Sequence, residues 1–192
     1  LYLNAQSILS KTNDLNATVC DIKPDLILIT ESWCNSNISN NLLKLNGYNI
    51  INELRCDRFD TSNGIGGGLL VFSKERLDIL AYDKTNDFNQ YVNFKISTSN
   101  SYVNIVLVYR PPNCNRDNCD KLIDLVKNAP SNTIFVGDFN LPKIDWNNFS
   151  CNNDSKSIDF LNACLDNNFS QFVDFPTHSH NNILDLVLCN DD

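Results

Sequence analysis

Thr133-Ile134-Phe135-Val136-Gly137-Asp138-Phe139-Asn140 is the stretch on which the reading of this chain turns. Its opening residues are β-branched and aromatic, the side chains that fit a pleated, buried surface, and they predict a strand. That strand runs into a glycine, an acid and an amide. Polar residues just past a rigid strand end project into a cleft rather than the core, a common way to present chemistry. Taken alone, Asp138 and Asn140 read equally well as turn formers, because Asp and Asn side chains bond the local backbone.

Working outward, other strands end in the same way. Leu1-Tyr2-Leu3 reads as a short alternating strand that delivers Asn4. Ile8, Leu15, Val19 and Ile22 recur at roughly helical spacing, so residues 12–22 predict an amphipathic helix that stops before Pro24. The run Asp25-Leu26-Ile27-Leu28-Ile29-Thr30 predicts a central strand, buried on both faces, that delivers Glu31. A right-handed crossover between these two strands sets Asn4 and Glu31 on one edge of a sheet. Further strands are expected at 48–53, 69–73, 77–82, 91–97 and 102–109, the last ending in Tyr109-Arg110-Pro111-Pro112.

Helices are expected at 116–128, with Leu122, Ile123, Leu125 and Val126 inward, and at 155–167, with Ile158, Leu161 and Leu165 aligned. Between them lies an Asn-rich loop, 142–153, anchored by Ile144 and Trp146. Ile183 to Leu188 reads as the last strand. Gly64-Ile65-Gly66-Gly67-Gly68 lacks the lysine and hydroxyl residue of a phosphate loop, and reads as a tight hairpin or close backbone approach. With strands outnumbering helices, the pattern favours two sheets packed face to face with helices outside, in one domain spanning 1–192.

Composition sets bounds on function. No apolar run approaches the ~20 residues that cross a bilayer. Eight cysteines scattered without a CxxC pair predict reduced structural thiols rather than a disulfide framework or a zinc site. A net charge of −8 argues against a broadly basic nucleic-acid surface. It leaves room for a nuclease, in which an acidic metal site is offset by its cation.

The ordered series Asn4, Glu31-Ser32-Trp33, Gly66-Gly67-Gly68, Tyr109-Arg110-Pro111-Pro112, Gly137-Asp138-Phe139-Asn140, Pro176-Thr177 and Leu184-Asp185-Leu186-Val187-Leu188 resembles the endonuclease domain of non-LTR retrotransposons. It is most similar to the jockey-like and chicken-repeat-like branches of these elements, whose domain belongs to the endonuclease/exonuclease/phosphatase superfamily. The resemblance spans the whole chain. It implies a four-layer α/β sandwich, cleavage of DNA phosphodiesters with Mg²⁺ or Mn²⁺, and nicking of double-stranded target DNA to prime reverse transcription. It also implies a monomeric domain of a longer polyprotein that acts in the nucleus, away from membranes, with a reverse transcriptase domain C-terminal to it.

By the same resemblance, Glu31 and Asn4 are the metal ligands, and Tyr109 contacts the scissile phosphate. Asp138 activates the attacking water with Asn140 as its partner, Asp185 orients a histidine, and Thr177 and Arg110 contact DNA phosphate. These types suit the chemistry, since Mg²⁺ takes hard oxygen ligands and keeps several waters. Two departures stand out. Gln6 occupies a position where some members carry an acid, and the family's terminal Ser-Asp-His strand is not in the sequence, so very weak nicking, or none, is expected of these residues alone. His178 and His180 do not match that motif. Two rival readings are a phosphodiesterase or phosphatase acting on a small phosphorylated or lipid substrate, and a non-catalytic relic of the fold.

Overall fold

Alternation along the strands builds the molecule. In the computed structural model, which describes residues 1–58, 66–85, 90–99 and 101–190, the strands fall into two main sheets. The smaller has the order β1-β2-β4-β3, from Tyr2–Asn4 (β1), Leu26–Thr30 (β2), Asn49–Ile50 (β3) and Leu70–Ser73 (β4). The larger has the order β11-β12-β8-β7-β6-β5. It comprises Ile79–Thr85 (β5), Gln90–Ser97 (β6), Tyr102–Tyr109 (β7), Thr133–Asp138 (β8), Ser170–Gln171 (β11) and Asp185–Asn190 (β12). A two-residue ribbon pairs Ile144–Asp145 (β9) with Ser150–Cys151 (β10). The expected parallel pairing of β1 with β2 is present, as is a parallel β7–β8 step.

Three apolar clusters make four layers. Leu15 and Val19 of α1 (Thr12–Ile22) cover Ile27, Ile29, Leu70 and Phe72 on the outer face of the smaller sheet. Leu122, Ile123 and Val126 of α2 (Arg116–Lys127), with Phe160, Leu161 and Cys164 of α3 (Ser155–Asp166), cover Val106, Val108, Phe135, Leu186 and Leu188 on the outer face of the larger. Between the sheets lie Leu28, Val71, Val92, Phe94, Ile105, Leu107 and Val136. Fully burying each such side chain stabilises by roughly 1.5–3 kcal/mol, so the two-sided patterning of the strands is the main organising force. The helices α2 and α3 start on side-chain caps: Asn115 accepts from the Asn118 N–H at 2.8 Å, and Asp154 from that of Ser157 at 3.0 Å.

Several sequence expectations are corrected. Residues 48–53 give only the two-residue β3 followed by a 3₁₀ turn at Asn52–Leu54. Ile22 and Leu165 are exposed, and Phe160 and Cys164 take the inward positions of α3 instead. The loop at 142–153 folds into the β9–β10 ribbon, with Ile144 and Trp146 buried as anticipated. Gly64 and Ile65 lie outside the described residues. No disulfide joins the eight cysteines, and no helix among the described residues is long and apolar enough to cross a membrane.

Candidate active site

Because strand side chains alternate between faces, the last inward-facing residue of each strand falls at one edge of the space between the sheets. Tyr2 and Val187 pack against the inter-sheet core, to which Leu28, Leu107 and Val136 belong. Two residues along the same face stand Asn4, Asp185, Thr30, Tyr109 and Asp138 in turn. The sheets therefore bring together residues spread across nearly the whole sequence, and Glu31 follows Thr30 directly.

The polar contacts tie this edge into one network. Asn4 Nδ2 donates to Asp138 Oδ2 at 3.0 Å, and the Asn140 backbone N–H donates to Asp138 Oδ1 at 3.2 Å. The Tyr109 phenol lies beside the Glu31 carboxylate and the Gly67 backbone. Trp33 Nε1 donates to Glu31 Oε2 at 3.2 Å. Tyr2 donates to Asp185 Oδ1 at 2.5 Å and shares a 2.9 Å hydrogen bond with Thr30 Oγ1. Sequence reading gave no role at the site to Tyr2, Thr30 or Trp33. The signal for Tyr2 was its position two residues before Asn4, hence on the same strand face.

Electrostatics follow from that crowding. Burial, then the nearby Asp185 and Glu31 carboxylates, raise the Asp138 pKa to about 8. Burial and the same acidic surroundings push the Tyr109 and Tyr2 phenols well above their ordinary value, so both stay protonated donors.

The backbone is bent to fit. Glu31 and Trp33 hold left-handed conformations, at φ of 50° and 57°, which for residues of their size cost on the order of 1–3 kcal/mol and cluster at functional sites. Their segment is braced by Ser32 N–H to Gly68 O and Trp33 N–H to Gly67 O, both 3.0 Å. Gly68 has φ +91°, and a Cβ there would lie 2.4 Å from Ser32 Oγ. Close backbone approach is thus what these glycines provide, as the sequence suggested.

Thr177 and Arg110 differ from the rest. Thr177 Oγ1 accepts the backbone N–H groups of Leu184 and Asp185 at 2.9 and 3.0 Å, pinning the start of β12. Arg110 was expected at DNA phosphate, but it is buried, and its guanidinium faces the Asn140 carbonyl at 2.8 Å, the Phe139 carbonyl at 3.3 Å and Cys119 Sγ at 3.4 Å. Its side chain fills the space under α2 instead of reaching solvent. Gln6 is exposed, and His178 and His180 stack on one another with centroids 4.9 Å apart.

The donor set fits a hard divalent cation. Asn4 Oδ1 is buried and has no hydrogen-bond partner, an arrangement that costs free energy unless something fills it. Glu31 supplies a carboxylate at the same strand edge. Among the described residues no cluster of three or more His, Cys, Asp or Glu forms a dedicated cage. That suits Mg²⁺, which is held by one or two carboxylates and keeps its waters.

Comparison with known proteins gives the same picture. A family model described as endonuclease-reverse transcriptase matches residues 103–192. The endonuclease domain of TRAS1, a telomere-specific non-LTR retrotransposon, superposes with a TM-score of 0.68 at 16% identity, covering 100% of this chain and 83% of that one. An AP endonuclease from Leishmania major gives 0.69 at 14% identity, over 98% and 78% of the two chains. A 3'-5' exonuclease from Neisseria meningitidis gives 0.69 at 13%, over 98% and 85%. At such identities the likeness establishes the fold. No curated protein matches the sequence.

Proposed function

We propose that this chain, which has the fold of the endonuclease/exonuclease/phosphatase superfamily, is a Mg²⁺-dependent endonuclease domain that nicks double-stranded DNA to prime reverse transcription of a retrotransposon. The observation that carries the reading is the convergence of Asn4, Glu31, Tyr109, Asp138 and Asp185 at one edge between the sheets, with Asn4 Oδ1 buried and unpartnered. A cation held by Asn4 and Glu31 would polarise the phosphate and offset the negative charge that develops on it.

The protein's own groups divide the remaining work. Asp138, aimed by Asn4 and the Asn140 N–H, accepts the proton of the attacking water; its raised pKa matches a base working near neutral pH. Tyr109, kept protonated, donates to a phosphate oxygen. Asp185 orients a histidine of the kind the family carries in its Ser-Asp-His segment. In this reading the domain works as a monomer in the nucleus, beside a reverse transcriptase domain of the same polyprotein.

Nicking of supercoiled plasmid with Mg²⁺ tests the proposal, on residues 1–192 and on a chain carrying a Ser-Asp-His segment, the latter being faster. Glu31→Ala and Asp138→Ala should each lower the rate ~10²–10⁴-fold, the range for loss of a catalytic acid, base or metal ligand. Hydrolysis of soluble phosphoesters without nicking would move the assignment to a small-substrate phosphodiesterase. Rates indifferent to both substitutions would leave a relic of the fold.

A further inference from the structure

We propose that Arg110 is a positioning residue for the candidate site, acting through Asn140 and Asp138 and never touching DNA; this rests on the endonuclease reading above. Four hydrogen bonds close a loop between the ends of β7 and β8. The Arg110 backbone N–H donates to the Asp138 carbonyl at 2.8 Å, and Arg110 Nη1 donates to the Asn140 carbonyl at 2.8 Å. In return, Asn140 Nδ2 donates to the Arg110 carbonyl at 2.8 Å, and the Asn140 N–H donates to Asp138 Oδ1 at 3.2 Å. The residue that sets the Asp138 carboxylate is thus itself held, by carbonyl and by side-chain amide, from Arg110.

Asn140 needs such a holder. Its φ is +48°, a left-handed conformation that Asn tolerates better than most residues but that surrounding structure must still enforce. The chain turns there away from β8, and the carbonyls of Phe139 and Asn140 point into the protein beneath the site. A planar guanidinium can meet both carbonyls and also Cys119 Sγ on α2, at 3.3, 2.8 and 3.4 Å. A lysine ammonium is compact and cannot present the same fork. Burying a charge costs several kcal/mol unless its donors are satisfied, so a buried arginine at this turn has a geometric purpose. At 5% exposure it has no path to a phosphate.

Arg110→Lys is the decisive variant. It should lower kcat for Mg²⁺-dependent nicking on the order of 10–100-fold, the effect of an ~1 Å misplacement of reacting groups, and change KM for DNA less than about twofold. In Arg110→Met, which removes the charge that Arg110→Lys keeps, the slope of log affinity against log salt should not move. A residue touching phosphate would instead raise KM and reduce that slope by ~1, and this result overturns the proposal. In an Asn140→Ala background Arg110→Lys should add little, whereas full additivity of the two losses also overturns it.

One measurement is independent of catalysis. By NMR, the Asn140 side-chain amide should be protected from exchange in the wild type and should lose that protection in Arg110→Lys and in Arg110→Met, while the amides of β7 and β8 keep theirs. Unchanged protection in the variants refutes the clamp. Should the chain carrying the Ser-Asp-His segment fail to nick at all, the endonuclease reading falls and the Asn140 amide still decides the role of Arg110.

Discussion

Asp138 and Asp185 stand opposite each other across the antiparallel pairing of β8 with β12. Directly paired side chains on one face have Cβ atoms about 4.5–5.5 Å apart, and like charges there repel. Tyr2 meets Asp185 and Asn4 meets Asp138, so each carboxylate has its own donor from β1. One strand of the smaller sheet therefore aims two acids of the larger.

Stability should depend on pH through Asp138. Its folded pKa of about 8 lies above the ordinary carboxylate value of 3.8, so between those limits the native state keeps a proton that the unfolded chain gives up. The stability present at acid pH is lost as pH rises through that window, by up to about 1.4 kcal/mol per unit, and levels off above it. Asp138→Asn removes the dependence and should be the more stable protein at pH 8 without added metal. Urea unfolding at pH 5, 7 and 9 measures this; parallel curves for the two proteins would contradict it.

Tyr2→Phe tests the link between the sheets. The change keeps the ring against the inter-sheet core and deletes the hydroxyl that serves both Asp185 and Thr30. Leaving the Asp185 acceptor and the Thr30 hydroxyl donor unsatisfied costs roughly 1–3 kcal/mol, and more for the charged one. Loss of stability in that range should come with slower nicking, since Asp185 is no longer held. Native activity in a destabilised Tyr2→Phe protein would show that Asp185 needs no support from β1.

Gly137 and Gly47 offer a paired test of backbone approach. A Cβ at Gly137 would lie 1.9 Å from the Val108 carbonyl oxygen, at φ +148°, so β7 and β8 could not keep their spacing. A Cβ at Gly47 meets nothing within 4 Å and adds only the strain of φ +83°. Gly137→Ala should cost more than about 4 kcal/mol or prevent folding, and Gly47→Ala only on the order of 1 kcal/mol. Thermal unfolding of the two variants checks the contrast, and equal losses would mean that the strand spacing is softer than drawn.

Local pattern determined a good deal. The near-continuous apolar runs of Val103–Val108 and Thr133–Val136, and the i, i+3, i+4 spacing in the segments that became α1 and α2, are written in neighbouring residues, and they carried the layered architecture. The strand-end positions of Asn4, Glu31, Tyr109 and Asp138 were legible for the same reason. Where the pattern was short, as at 48–53 and 142–153, side-chain period could not separate strand from turn, and the structure gave a two-residue strand and a small ribbon.

Tertiary structure alone decided the rest. Arg110 reads as a surface cation because arginine usually is one, and only the turn at Phe139 and Asn140, pressed beneath α2, supplies carbonyls to hold it inside. Tyr2 meets Asp185, 183 positions away, because two sheets face each other, and no local period encodes that meeting. The raised Asp138 pKa likewise needs burial and two carboxylates from distant strand ends. Sequence fixed which face each side chain takes, since that is a property of neighbouring residues. Which faces meet depends on long-range packing, and the site is made there.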